Sequence, residues 1–562
     1  MRPTPAAAWI AAAAATALLI TGCGSSDRDG TSKKAAAPKV DGQDIGARPL
    51  ADLRQGGTLR VAIDQWITQY NINDVDGQQG DAQDIIKAVM PDLFDADAQG
   101  TPHLNPDFLI SAKVVSTSPQ VIEYDLNPKA RWSDGKPLSW RDFRTQWQAL
   151  NGADQAYEAA DPSGYDQIAD VGQAGAHGVK VTFKSPYADW QRLFDPLYPA
   201  EYYDSPAKFT KSWAEKVPVS GNAFKVGSYD KTAQTITLVP DPKWWGRKPK
   251  LDSVIYRVLD TSARPDAYLN KEIDYTAALL PEVYKRLVKA PDTDIRRGAR
   301  WDEVHITLNG GRGPLKDLRV RQAVQHAVDR QGIDQAFAKD LSFQLRPLDN
   351  HFFMPNQQGY KDTSGGYADY DTAAAKKLLD AAGWKDGGAG KPRTKGGRQL
   401  TLDYILSAGS SSAQVDQAEL VQQQLAQVGI KVELKKVPAN DYFNQFVNRG
   451  NFDLTSFRNV DAVYASMLTP VFVQPKGANL FQNFGSVGSP KIDALLKQAG
   501  ETTDHAKAAE LYNQADTEIW RLAHSIELYQ RPEIVAVRSG LANFGAEGLA
   551  DVDYTKVGWL KK

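Results

Sequence analysis

The stretch Leu400-Thr401-Leu402-Asp403-Tyr404-Ile405-Leu406 sets Leu400, Leu402, Tyr404 and Leu406 at every second position, the period of a strand. Val415, Ala418, Val421, Leu425 and Val428 then recur at helical spacing as far as Gly429. Ile430, Val432 and Leu434 return to the strand period. Phe443, Phe446 and Val447 predict a short helix ended by Gly450, and Phe452-Asp453-Leu454-Thr455-Ser456-Phe457 a third strand. Upstream, a helix starting near Asp371 carries Ala375, Leu378, Leu379 and Ala382 on one side and stops at Gly383. Strands alternating with helices of this length predict right-handed βαβ units on a parallel sheet, an α/β fold. In such sheets ligands bind beyond the carboxyl ends of the strands. Arg458, Asn459 and Asp461 lie just past one of those ends.

Outward from this unit, Asp317 reads as the N-cap of a helix reaching Arg330, with Val320, Ala323, Val324, Ala327 and Val328 as its buried stripe. Thr58-Leu59-Arg60-Val61-Ala62-Ile63 is a strand, and the polar loop Asp64 to Asp81 behind it holds Tyr70 and Asn71. That loop also lies at a carboxyl end if its strand is parallel. Val121 to Leu126 is a further strand, leading to a turn at Asp134-Gly135. Ser139 and Asp142 form a capping-box pattern ahead of a helix whose inner face is Phe143, Trp147 and Leu150. The Gly- and Lys-rich piece Asp386 to Gly397 reads as a surface loop.

The 562 residues allow two to four domains. With 66 Lys and Arg against 68 Asp and Glu, no dominant basic field exists for nucleic acid. One cysteine, Cys23, excludes a disulfide framework. Arg2 precedes a small and apolar run from Ala6 to Ile20, too short to span a bilayer and typical of a secretory signal. Ile20-Thr21-Gly22-Cys23 resembles the lipobox of bacterial lipoproteins, which implies cleavage before Cys23 and lipidation of its thiol. The segment 23–55 has no aromatic residue and reads as a flexible tether.

Signals for catalysis are missing. The seven histidines are never closer than 19 residues in sequence, so no local metal-ligand pair exists. There is no His-Glu-x-x-His, no Gly-x-Ser-x-Gly and no P-loop. The reading is a non-enzyme with no cofactor and no resident metal. Trp132-Ser133-Asp134-Gly135 and Trp244-Trp245 read as packing, and Arg319 and Arg321 as bracing or surface charges.

Six segments, in order, carry a wider resemblance. They are the Gly56-Gly57-Thr58-Leu59-Arg60-Val61 opening, Ala130 to Ser139, Lys243-Trp244-Trp245-Gly246, Pro314 to Ala323, Lys376 to Trp384, and the lipobox before them. Together they resemble the large solute-binding proteins of ABC importers, the extracytoplasmic family 5 of oligopeptide-, dipeptide- and nickel-binding proteins. Two departures stand out: Ser220-Gly221-Asn222-Ala223-Phe224 replaces the family's Thr-Gly-Pro-Tyr, and Tyr70-Asn71-Ile72-Asn73-Asp74 replaces Leu-Asp-Pro. The resemblance implies a two-lobe periplasmic-binding-protein-like (type II) fold with an extra subdomain in the N-terminal lobe. Lobe I would run over 56–300, with the extra subdomain at about 100–215, lobe II over 301–524, and 525–562 would return to lobe I. It further implies a monomer, lipid-anchored on the extracytoplasmic face, that hands oligopeptides to an ABC permease and its ATPase subunits. Asp461 would meet the peptide ammonium and Arg458 a carboxylate, with Asn459, Tyr70 and Asn71 as further contacts. The rival readings are the same scaffold loaded with an oligosaccharide, glycolipid or metal chelate, a lipid-anchored secreted hydrolase, and a receptor that signals without transporting.

Overall fold

The computed structural model describes residues 42–339, 341, 343–460, 463–475 and 482–561. Cys23 and Asp461 lie outside them. In lobe I, β1 (Thr58–Ile63) is followed by α1 (Gly80–Val89) and by an antiparallel sheet of β2 (Leu109–Thr117), β3 (Gln120–Leu126), β4 (Ile168–Ala174) and β5 (Gly178–Phe183). Between β3 and β4, helix α2 (Trp140–Leu150) starts at the Ser139/Asp142 capping box. Phe143 and Leu150 of its inner face are buried. Three more strands, β6 (Phe224–Asp230), β7 (Thr235–Pro240) and β8 (Ser253–Val258), complete the first sheet in the order β1-β8-β7-β6, with β1 parallel to β8. Trp132 and Trp244 are buried here, and Phe108 packs on Trp244 and Trp245, so these indoles fill the core.

The chain next forms β9 (Tyr275–Ala277), α3 (Pro281–Leu287) and the 16-residue β10 (Thr293–Leu308), and so enters lobe II. There, α4 (Leu318–Ala327), α5 (Arg330–Ala338), α6 (Thr372–Ala381), β11 (Thr401–Ser407), α7 (Ser412–Ala426), β12 (Lys431–Val437) and β13 (Leu454–Val460) follow. Helices α8 (Pro490–Gly500) and α9 (His505–Leu522) lead to β14 (Ser525–Arg538), which runs back into lobe I. The second sheet has the order β9-β14-β10-β13-β11-β12. β11 is parallel to both β12 and β13, as the βαβ pattern predicts. β10 is antiparallel to both β13 and β14, so the sheet is mixed.

β10 and β14 belong to both lobes. Ile306, Leu308, Ile526 and Leu528 pack in the lobe II core with α4, α6 and α7, whereas Val535 and Val537 pack in lobe I. The ladder between them shifts register between Ala299 and Glu303, where the strands pass from one core to the other. Each large side chain buried on either side contributes about 1.5–3 kcal/mol.

Two stretches differ from the sequence reading. The helix from Asp317 ends at Ala327, because Asp329 caps α5 through the Gly332 amide and Val328 is extended (φ −94°). Residues 42–55, read as the end of the tether, are fastened to lobe I. Asp44 and Ala546 exchange backbone hydrogen bonds, Leu53 is buried, and the Arg296 guanidinium donates to the carbonyls of Ile45 and Leu541. Backbone pairing does there what the missing aromatics could not. Arg321 braces α4, donating to the Leu315 and Leu522 carbonyls, while Arg319 stays exposed beside Asp317.

Asp334 of α5 is buried with neither carboxylate oxygen hydrogen-bonded, and burial lifts its carboxyl to about 8 against the pull of Arg330. The folded chain therefore keeps a proton that the unfolded chain releases near the ordinary Asp value. This contribution to stability is complete below that value and is lost as pH rises toward about 8. Asp334→Asn should match the wild-type melting temperature near pH ~4 and exceed it by several degrees at about pH 8. Superimposable melting curves at both pH values would refute the assignment.

Candidate ligand-binding cleft

Where β10 and β14 leave lobe II, a groove of about 640 Å³ opens between the lobes, within the range of small-ligand sites. Its lobe I wall is Leu279 to Glu282, the segment joining β9 to α3. Its lobe II wall is the first turns of α7 and the strand residues Ser456, Phe457 and Arg458. The floor is formed by Val304 of β10 with Tyr529 and Arg531 of β14, and Phe337 of α5 stacks on Tyr529 at 5.0 Å between ring centroids.

Each wall follows from local sequence. Ser411 caps α7 in a reciprocal capping box with Gln414, which aims the helix N-terminus at the groove. One turn further, the Gln417 side-chain amide donates to Ser456 Oγ at 2.8 Å and ties α7 to β13. Pro281 opens α3, where its missing N–H is harmless, and Leu280 before it is 50% exposed toward solvent.

β13 also presents an open edge. It pairs with β10 along its whole length, but with β11 only at Leu454 and Thr455. From Phe457 onward its other edge has no strand partner among the described residues. An unpaired edge is a template for an extended chain.

The charge of the groove is set by Asp302. Its carboxylate is buried at the register shift and accepts from Arg458 Nη1 at 2.8 Å and from Arg531 Nη1 at 3.2 Å. Two guanidiniums share one carboxylate, so the pair retains a positive charge. Arg458 keeps half of its side chain exposed and Arg531 about a third, 50% and 32%. Such partly satisfied forks can take up a further carboxylate or carbonyl. Glu282 and Asp416 contribute negative charge on opposite walls.

Of the residues singled out from sequence, Arg458 lines this groove. Asn459, next along β13, faces the other side of the sheet, where it lines a small cavity with Glu303. Tyr70 and Asn71 are fully buried in lobe I. The Tyr70 ring meets Tyr229 edge-on at 5.8 Å, and the Asn71 amide donates to the Phe209 carbonyl and accepts from the Asn73 amide and the Tyr203 hydroxyl. Their loop is closed by lobe I's own hydroxyls and carbonyls, so neither side chain reaches the groove. Arg531 and Asp302 were missed in the sequence. No motif surrounds them, and only the strand pairing brings them to Arg458.

A two-lobed fold with a groove over paired crossing strands defines a solute-binding protein. The family model of the bacterial extracellular solute-binding proteins, family 5 (middle), matches residues 103–472. The oligopeptide-binding protein OppA of Mycobacterium tuberculosis (strain ATCC 25618 / H37Rv) is 37% identical over 559 residues, 97% of this chain and 92% of that protein. Among solved structures, the periplasmic EDTA-binding protein EppA is similar with a TM-score of 0.83 and 26% identity, covering 93% of this chain and 100% of that one. The oligopeptide-binding protein AppA from Bacillus subtilis, in complex with a nonapeptide, shares the fold with a TM-score of 0.68 at 20% identity, covering 91% and 100%. The chain belongs to family 5 of the bacterial extracellular solute-binding proteins. Among the described residues, no helix is long and apolar enough to cross a membrane.

The ion pair on the groove floor can be measured directly. A double-mutant cycle of Asp302→Ala and Arg458→Ala, read by urea unfolding, should give a coupling of about 1 kcal/mol, because Arg458 is half solvated. Strict additivity would show that the two side chains do not interact in solution.

Proposed function

We propose that the protein captures oligopeptides in the interlobe groove and delivers them, unaltered, to an ABC permease and its ATPase subunits. The observation that carries this reading is the open edge of β13 beside the Asp302-held arginines, within a groove walled by both lobes. A peptide lies extended along that edge, its backbone paired as an added strand and its side chains over Phe337 and Tyr529. Arg458 and Arg531 take a carboxylate or carbonyl of the ligand. Asp461, which follows β13 in sequence, takes the ammonium group. The similarity to the oligopeptide-binding protein OppA supports the ligand class.

Closure follows from contact with both lobes. A ligand shifts an open–closed equilibrium only by its difference in affinity for the two states. Contacts to Leu279–Glu282 and to β13 at once are made only when the lobes approach. The crossing at 299–303 is the hinge, and the closed form is what the permease recognises. The chain acts without turnover as a monomer. Lipid on Cys23 holds it to the outer face of the membrane.

Calorimetry with short peptides tests the reading. Asp461→Ala should weaken binding about tenfold or more, the weight of a charge-assisted hydrogen bond, without moving the melting curve. Blocking the peptide amino terminus should cost the wild type the same amount and the variant nothing. Unchanged affinity discards the role of Asp461. A melting temperature raised by oligosaccharides or metal chelates, and by no peptide, discards the ligand class.

A further inference from the structure

Strand alternation turns Glu303, His305 and Thr307 of β10, and Ser525 and Glu527 of β14, away from the groove. They face a cavity of about 20 Å³ on the opposite side of the sheet, room for one water-sized species. Glu303, His305 and Glu527 offer ligand atoms that all lie within 4.8 Å of one another, and all three are buried. His351 lies outside that set but borders it, with its Nε2 3.4 Å from Glu527 Oε1 and its side chain 0% exposed.

Two buried atoms at this spot have no hydrogen-bond partner, His351 Nε2 and Glu303 Oε2. The arrangement around them is directional. His351 Nδ1 is 2.5 Å from Asp516 Oδ1 on α9, which orients the ring so that Nε2 is turned to Glu527. A carboxylate behind one ring nitrogen is how metal-binding histidines are held. Ser525 Oγ donates to Glu527 Oε1 at 3.1 Å, and Thr307 Oγ1 lies 3.0 Å from His305 Nε2, so His305 Nδ1 is the atom facing Glu303. A tetrahedral ion with bonds of about 2.1 Å needs donor atoms about 3.4 Å apart. The Glu303–His305 contact is 2.8 Å and the His351–Glu527 contact 3.4 Å, so binding one ion opens the first pair by about 0.6 Å and draws His351 inward.

We propose that Glu303, His305, His351 and Glu527 bind one divalent first-row transition cation of the zinc type. Mixed imidazole and carboxylate donors in a closed four-point site suit zinc and its neighbours; calcium and magnesium need more oxygens or retained waters. The ion fastens β10 and β14 to each other and, through His351 and Asp516, to α9. His524 takes no part as a ligand, since its two nitrogens lie 3.1 Å from Ser525 Oγ and 3.1 Å from Asn483 Oδ1. The site lies on the face of the sheet opposite the groove.

The test uses the full chain, untagged, stripped with a chelator, exposed to Zn²⁺ or Co²⁺ and desalted. Elemental analysis should find about one cation per chain. The Co²⁺ form should show the strong visible absorption of a tetrahedral site, and Zn²⁺ should raise the melting temperature by several degrees. The double variant Glu303→Gln/His351→Gln should lose all three signals, while His326→Gln, at a half-buried histidine of α4 outside the site, keeps them. No retained cation, a weak octahedral Co²⁺ spectrum, or equal retention by the double variant overturns the proposal. If the double variant does not fold, the wild-type stoichiometry and Co²⁺ spectrum decide alone.

Discussion

The antiparallel ladder between β10 and β14 carries the rest of the molecule. Its two ends are buried in different cores, Val535 and Val537 in lobe I and Ile306, Leu308, Ile526 and Leu528 in lobe II. Neither strand can shift along the other without stripping apolar side chains from both lobes, because a one-residue slip turns every side chain to the wrong face. The position of the groove is thereby fixed to the register of the pair. The ladder loosens where its register shifts, at Ala299–Glu303 and again at Val304–His305, and Asp302 sits within the first break.

The period of two then gives each strand two duties. Val304 and Tyr529 face the groove, while Glu303, His305 and Glu527 face the opposite cavity. In sequence these are neighbours within Asp302-Glu303-Val304-His305 and Glu527-Leu528-Tyr529, and nothing local separates groove-facing from cavity-facing residues. The histidines make the same point. His305, His351 and His524 are far apart along the chain, yet all three line one cavity. Spacing rules find metal ligands only when a single helix or turn supplies them.

Elements whose residues carry their own instructions were legible. The βαβ unit from Thr401 to Val460, the Ser139 capping box and the strand Thr58–Ile63 follow from periodicity and caps, because apolar faces and caps are local properties. What could not be read depended on distant partners. Asp329 looks like one more polar residue in a helical run until its side chain is seen capping α5. Tyr70 and Asn71 sit in a polar loop of the kind that meets ligands, but Tyr198, Tyr203 and Phe209 supply their hydrogen-bond partners from within lobe I. Residues 42–55 have the composition of a tether and are held by backbone pairing with the chain's far end.

Under the proposed function, Asp302 would let the groove bind firmly with few charges. An arginine free in solvent loses rotamer freedom when it clasps a ligand, and that loss subtracts from affinity. Arg458 and Arg531 are each already tethered by one Nη1 to a buried carboxylate, so part of the ordering cost is met during folding. One carboxylate cannot satisfy ten N–H donors on two guanidiniums. The donors left over carry a net positive charge, and the acidic side chains Glu282 and Asp416 stand on the walls. A lysine at either position would spend its compact charge on Asp302 and present no second donor plane. The buried acid thus acts as a fixed post that holds two planar hands open, and under the proposed function such a floor would favour planar oxygen acceptors, the groups that recur along any peptide chain.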